Sequence, residues 1–177
     1  MKQAEIIQKL TKNHEAFIDF IYTLNKEDFE AIPKNKWSAG QQLEHIYLSL
    51  KPLTQALMIP RFLLRLIFGK SIRPSKNYDA LVEKYKIKLA NGGRATGRFV
   101  PALVLADKKE VLIKKIQHTV YKLTSLISHY KEAELDCLIL PHPLLGKLTI
   151  REMLYFTIYH VQHHKAISKR NLGMIED

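Results

Sequence analysis

Apolar positions along the chain recur with a helical period over most of its length. Ile7, Leu10, His14, Phe17, Ile21 and Leu24 follow one another at alternating steps of three and four residues. That spacing predicts an amphipathic helix from about Lys2 to Leu24, followed by a polar loop around Pro33. Ser38-Ala39-Gly40-Gln41 then reads as a capping box. The serine oxygen can accept from the third helical N–H while the glutamine reaches back to the cap. Leu43, Ile46, Leu50, Leu53 and Leu57 supply the apolar face of the helix it opens. Pro52 is expected to kink this helix and Pro60 to break it.

Short helices are expected at about Arg61 to Phe68 and Tyr78 to Leu89, with a loop containing Pro74 between them and a glycine-containing loop at 91–98 after them. Asp107 with Glu110 reads as the next helix cap. The inward stripe of that helix is expected to be Leu112, Ile116, Thr119, Leu123, Leu126 and Tyr130. A loop with Pro141 and Pro143 leads to a third capping box, Thr149 with Glu152, and a final helix to about Arg170, with Gly173 beyond it. Four long amphipathic helices and no convincing strand predict an all-α, up-down four-helix bundle. Short extra helices lie between the second and third long helices, and residues 1–177 form a single domain.

Charge changes this picture in one place. The net charge is +11, and the stretch 61–122, with 15 Lys/Arg against four Asp/Glu, accounts for all of it. Such a segment can meet nucleic acid, anionic lipid or an acidic small molecule, or simply face water. Arg61 and Arg65 on the short amphipathic segment suit a lipid surface, and no recognised nucleic-acid motif is present. One cysteine, Cys137, excludes an intrachain disulfide and a zinc site built on several cysteines. With no signal-peptide pattern and no long apolar run, a soluble cytoplasmic protein is expected. Apolar helix faces would allow a homodimer.

The candidate chemistry lies in the histidines. At about 100° per residue, His160 and His164 fall ~40° apart on the inward face of the last helix, and His163 lies at its edge. Arg151, Gln162 and Lys169 are expected on the opposite, water-facing side. Two imidazoles at i and i+4 can share one metal, although a hydrogen-bonded core pair fits the same spacing. Val161 stands where a zinc protease would carry its glutamate base, so that motif is absent. On the second helix His45 shares a boundary stripe with Gln42, Ser49 and Ala56, which could line a site or be an ordinary core edge. His14 lies on the core stripe of the first helix, as a core group or a further ligand. His118, His129 and His142 receive no role.

Trp37-Ser38-Ala39-Gly40-Gln41-Gln42-Leu43-Glu44-His45, together with Tyr159-His160-Val161-Gln162-His163-His164, resembles the DinB/YfiT-like superfamily of candidate metalloenzymes. The resemblance implies a four-helix bundle with a divalent metal, zinc or nickel, on His45, His160 and His164. His163 is the alternative to His164. It also implies thiol-dependent activities, namely transfer of a low-molecular-weight thiol to an electrophile or thiol-dependent isomerisation, and in some members hydrolysis.

Three protein ligands would leave the metal an open position for activating a thiol or water toward a small electrophile. His163 would shuttle the proton. Gln42, Ser49, Arg94 and Arg98 would bind substrate, the arginines taking an anionic group. The basic 61–122 connection departs from the shorter family pattern. The competing expectation is a non-enzymatic binding module that uses this segment for nucleic acid, lipid or protein.

Overall fold

A computed structural model describes residues 1–33 and 36–175. Lys34 and Asn35 of the polar loop expected around Pro33, and the last two residues, lie outside the described residues. Eight α-helices occur among those described: α1 (Gln3–Thr23), α2 (Lys26–Glu30), α3 (Ala39–Leu57), α4 (Arg61–Phe68), α5 (Tyr78–Ala90), α6 (Lys109–Ser128), α7 (Glu132–Cys137) and α8 (Ile150–Asn171). The four long ones form a bundle in which α1 and α3 each pack against both α6 and α8, with α5 laid on the outside of α8. Phe17, Ile21, Leu43, Leu50, Ile116, Leu123 and Leu154 are among the side chains buried between them.

Two of the expected caps form as read. Ser38 Oγ accepts from Gln41 N at 3.2 Å while Gln41 Oε1 accepts from Ser38 N at 3.1 Å. Thr149 and Glu152 make the same reciprocal pair at 3.1 and 2.9 Å. Asp107 does not cap α6. It lies inside a 3₁₀ turn, Ala106–Lys108, and the residue before α6 is Lys108, which makes no side-chain cap bond. The helix also sits rotated from the expected stripe. Ile113, Val120 and Ile127 are buried, while Thr119 and Leu126 are only half-buried.

The stretch around Pro141 and Pro143 is not a loop but a β-hairpin, β1 (Ile139–His142) with β2 (Gly146–Thr149). The strands are antiparallel, with Leu140 opposite Leu148 and His142 opposite Gly146. Leu140 and Leu148 point into the core. In a two-stranded ribbon Pro141 can sit with its missing N–H on the free side. The turn closes on His142, whose Nδ1 accepts from the backbone N–H of Leu144 and Leu145, both at 3.1 Å.

Arg151 does not face water. It sits in the first turn of α8 and is buried against α7 and the chain start. Its guanidinium donates to Asp136 Oδ1 at 2.6 Å, Asp136 Oδ2 at 3.0 Å, Glu132 Oε2 at 2.5 Å and Met1 O at 2.9 Å. Glu132 and Asp136 in turn have their carboxyls held below the usual range, Glu132 by hydrogen bonds from the Gln3 backbone and Arg151, Asp136 by those from Arg151 and Ser75 against an opposing effect of burial. Glu152 is fully buried beside it. Besides its capping bond it accepts from both Arg73 Nη atoms, at 2.6 and 2.8 Å, and from Lys76 N at 2.8 Å. These contacts pin the 73–76 connection to the head of α8.

Candidate metal centre and its cavity

His45 on α3 and His160 and His164 on α8 meet inside the bundle, all three buried. Their Nε2 atoms converge. His45 Nε2 lies 3.2 Å, and His164 Nε2 3.0 Å, from His160 Nε2. The inward spacing of His160 and His164 follows from one helical turn, and His45 reaches them because α3 packs on α8.

The far nitrogens fix the tautomers. His45 Nδ1 lies 2.7 Å from the carbonyl oxygen of Phe99, which can only accept, so this nitrogen carries the proton. His164 Nδ1 donates to Gln42 Oε1. When neutral, both rings therefore present bare Nε2 lone pairs to the shared centre. Burial pushes the pKa of all three imidazoles below the ordinary value. For His160 and His164 the neighbouring imidazoles push further in the same direction, while for His45 the bond to Phe99 partly opposes it. A proton on His160 Nε2 can satisfy one neighbour at a time, whereas a cation at the centre satisfies all three. A tetrahedral zinc with bonds of about 2.0–2.1 Å would separate its nitrogens by roughly 3.3 Å, close to the spacing here. Among the described residues the three histidines form a set that can hold a metal ion.

Trp37 covers one side of this set, its ring centroid 5.1 Å from His45 and 6.5 Å, stacked, from His164. On another side a cavity of about 740 Å³ reaches His45 and His160. Its walls are largely apolar, including Leu53, Phe68, Leu89, Leu140 and Phe156. The connection that carries the Phe99 acceptor also packs closely against α3 at Gly40. A Cβ there would lie 2.8 Å from the Phe29 ring and 2.9 Å from Val104 O, so only glycine lets the 97–106 connection press this close to α3.

The sequence of the chain matches the DinB superfamily model over residues 9–168. The chain belongs to the DinB superfamily. No curated protein matches it.

Against this DinB frame the expected site residues fall into three places. Ser49, Arg94 and Arg98 line the cavity. Ser49 Oγ donates to His45 O at 2.9 Å, and neither arginine has a carboxylate partner among the described residues. Gln42 is not among the lining residues, since it lies behind the site as the acceptor for His164. His163 also stands outside the cavity, half-buried between Tyr85 and Tyr159 with ring centroids 5.7 and 6.1 Å away. Burial is the main reason its pKa is pushed down to about 4, with Arg170 and His45 adding to it. His14 is distant chemistry: its Nδ1 bonds Leu10 O at 2.7 Å within α1.

Three site features were not anticipated. His142, placed by the hairpin, lines the cavity and packs edge-on against Phe156 at 4.3 Å. Burial, then Lys84, pushes its pKa down to about 4. Tyr85 lines the same cavity and packs against Phe156 at 5.1 Å, and burial holds its hydroxyl protonated. Phe99 contributes through its backbone, which no side-chain pattern could reveal. The prolines around His142 concealed the hairpin, and the weak amphipathicity of α5 gave no reason to turn Tyr85 inward.

Proposed function

We propose that this DinB superfamily protein acts as one domain and as a metal-dependent enzyme that joins a thiol, or water, to a small electrophile with an apolar body. The convergence of three Nε2 atoms at the wall of an apolar cavity carries this reading. A three-ligand metal keeps a position open to a reactant, as catalytic rather than structural sites do. Zinc or nickel held there would supply Lewis-acid chemistry that makes a thiol or water nucleophilic near neutral pH.

The residues of the chain supply the rest. Gln42 and the Phe99 carbonyl orient two of the rings. The apolar walls bind the body of the electrophile and exclude water. Arg94 and Arg98 bind a carboxylate on the substrate or on a low-molecular-weight thiol. Ser49 and Thr157 donate to carbonyls of their own helices, which leaves their oxygens free to accept from a ligand. Tyr85 offers a protonated hydroxyl.

A test incubates zinc- or nickel-loaded protein with a panel of thiols and 1-chloro-2,4-dinitrobenzene or monochlorobimane. Metal-dependent conjugation that disappears in His45→Ala supports the reading. Conjugation at the same rate in that variant, or none with any thiol and either metal, contradicts thiol transfer.

A further inference from the structure

The short helix α4 turns its apolar side outward. Phe62 and Leu66, one turn apart, are 71% and 79% exposed, and Ile67 beside them is also exposed. Leu64 is the one buried residue of this helix. Met58 just before it is exposed, and Ile72 just after it is 99% exposed. Isolated surface hydrophobes are ordinary, but five large ones between Met58 and Ile72 make a patch.

The segment is firmly held. Arg61 donates to His129 O, lies 3.4 Å from Glu134 and stacks 4.6 Å over the Tyr130 ring. Past Gly69, Lys70 forms a β-bridge with Leu138, and Ser71 N donates to Cys137 O at 2.7 Å.

Charge identifies the partner. Between Glu44 and Asp79 the chain has no acidic residue and six basic ones. Arg61 and Arg73 are paired with Glu134 and Glu152. Arg65 and Lys70 are exposed and have no carboxylate partner among the described residues. An apolar strip with unpaired cations beside it complements an anionic lipid surface, with side chains at the acyl boundary and cations at the phosphates. A second copy of the chain would instead bring like charges together.

We propose that α4 docks this protein on bilayers containing anionic phospholipid. Phe62, Leu66 and Ile67 enter the acyl boundary, and Arg65 and Lys70 meet headgroup phosphates. No helix among the described residues is long and apolar enough to cross a membrane, so this contact is peripheral. Ile59 and Phe68, at the two ends of α4, line the cavity, so the docking element is also a wall of the candidate site. The inference is independent of whether the histidines hold a metal.

The test is co-sedimentation of the full, untagged chain with vesicles of phosphatidylcholine alone and of phosphatidylcholine mixed with phosphatidylglycerol. Binding to the mixed vesicles is expected to be at least about tenfold tighter and to weaken with salt. It should be lost in Phe62→Glu/Leu66→Glu and reduced in Arg65→Gln/Lys70→Gln, with circular dichroism unchanged. Failure to bind the mixed vesicles, or undiminished binding by both variants, overturns the proposal. So does a wild-type dimer, seen by sedimentation velocity without vesicle binding and abolished in Phe62→Glu/Leu66→Glu, because it assigns the patch to a second copy.

Discussion

His45 Nδ1 lies 2.7 Å from the carbonyl oxygen of Phe99, so a ring of α3 is oriented by a connection 54 residues further along the chain. The same connection approaches α3 closely at Gly40, where the Val104 carbonyl leaves no room for a Cβ. Gly40→Ala forces its Cβ against Phe29 and the Val104 carbonyl. It is expected to cost about 1–3 kcal/mol of stability by overpacking. It should also weaken metal binding by moving Phe99 away from His45. Urea unfolding and chelator competition check the two effects separately. Unchanged stability would contradict the tight approach.

Gln42 acts through His164. Replacing it with leucine removes the acceptor for His164 Nδ1–H and leaves that donor buried. Metal affinity is expected to fall about 10- to 100-fold, as for other groups that orient metal-ligating histidines. Chelator competition with zinc measures it, and an affinity equal to wild type would remove Gln42 from the site.

Glu152 ties three features together: the cap of α8, Arg73 and the backbone of Lys76. Glu152→Ala is expected to destabilise the fold by about 1–3 kcal/mol, combining a lost cap partner and a lost bond from Lys76 N with a lost ion pair to the part-exposed Arg73. Thermal and urea denaturation should agree on the loss. A change within about 0.5 kcal/mol, the scale of ordinary surface substitutions, would show that the network contributes little.

His14 sets a pH dependence. Burial, opposed only in part by its bond to Leu10 O, pushes its pKa from the ordinary 6.5 down to about 4. Below pH 6.5 the unfolded chain takes up a proton that the folded chain refuses. The stability from this group is therefore complete above pH 6.5 and is lost as pH falls toward 4, by roughly 3 kcal/mol. In His14→Leu this part of the slope should vanish. Stability measured across that window in both proteins decides it, and parallel curves would contradict the assignment.

The contrast between legible and hidden features has a physical basis. The bundle was readable because its signals are local: three- and four-residue apolar steps, and the cap pairs Ser38 with Gln41 and Thr149 with Glu152. The meeting of His160 and His164 is likewise one helical turn. Asp107 misled because a cap depends on the backbone at that residue, and a 3₁₀ turn places Lys108 there instead. Arg151 does lie on the side of α8 away from the bundle axis, but α7 and Met1 cover that side, which helical periodicity does not reveal. Phe99 was invisible because the group that matters is a main-chain carbonyl. His142 was hidden behind two prolines that suit a loop and an edge strand equally well. The outward apolar side of α4 could not be told from a buried one, since amphipathicity says that a helix has two faces but not which one meets the core.

His45, His160 and His164 are expected to bind one divalent ion. Elemental mass spectrometry of the untagged protein, beside His160→Ala, tests it most directly. Close to one zinc or nickel per chain is expected in the wild type, with loss of that metal in the variant. No stoichiometric metal in the wild type, even after reconstitution with zinc and nickel, would contradict it.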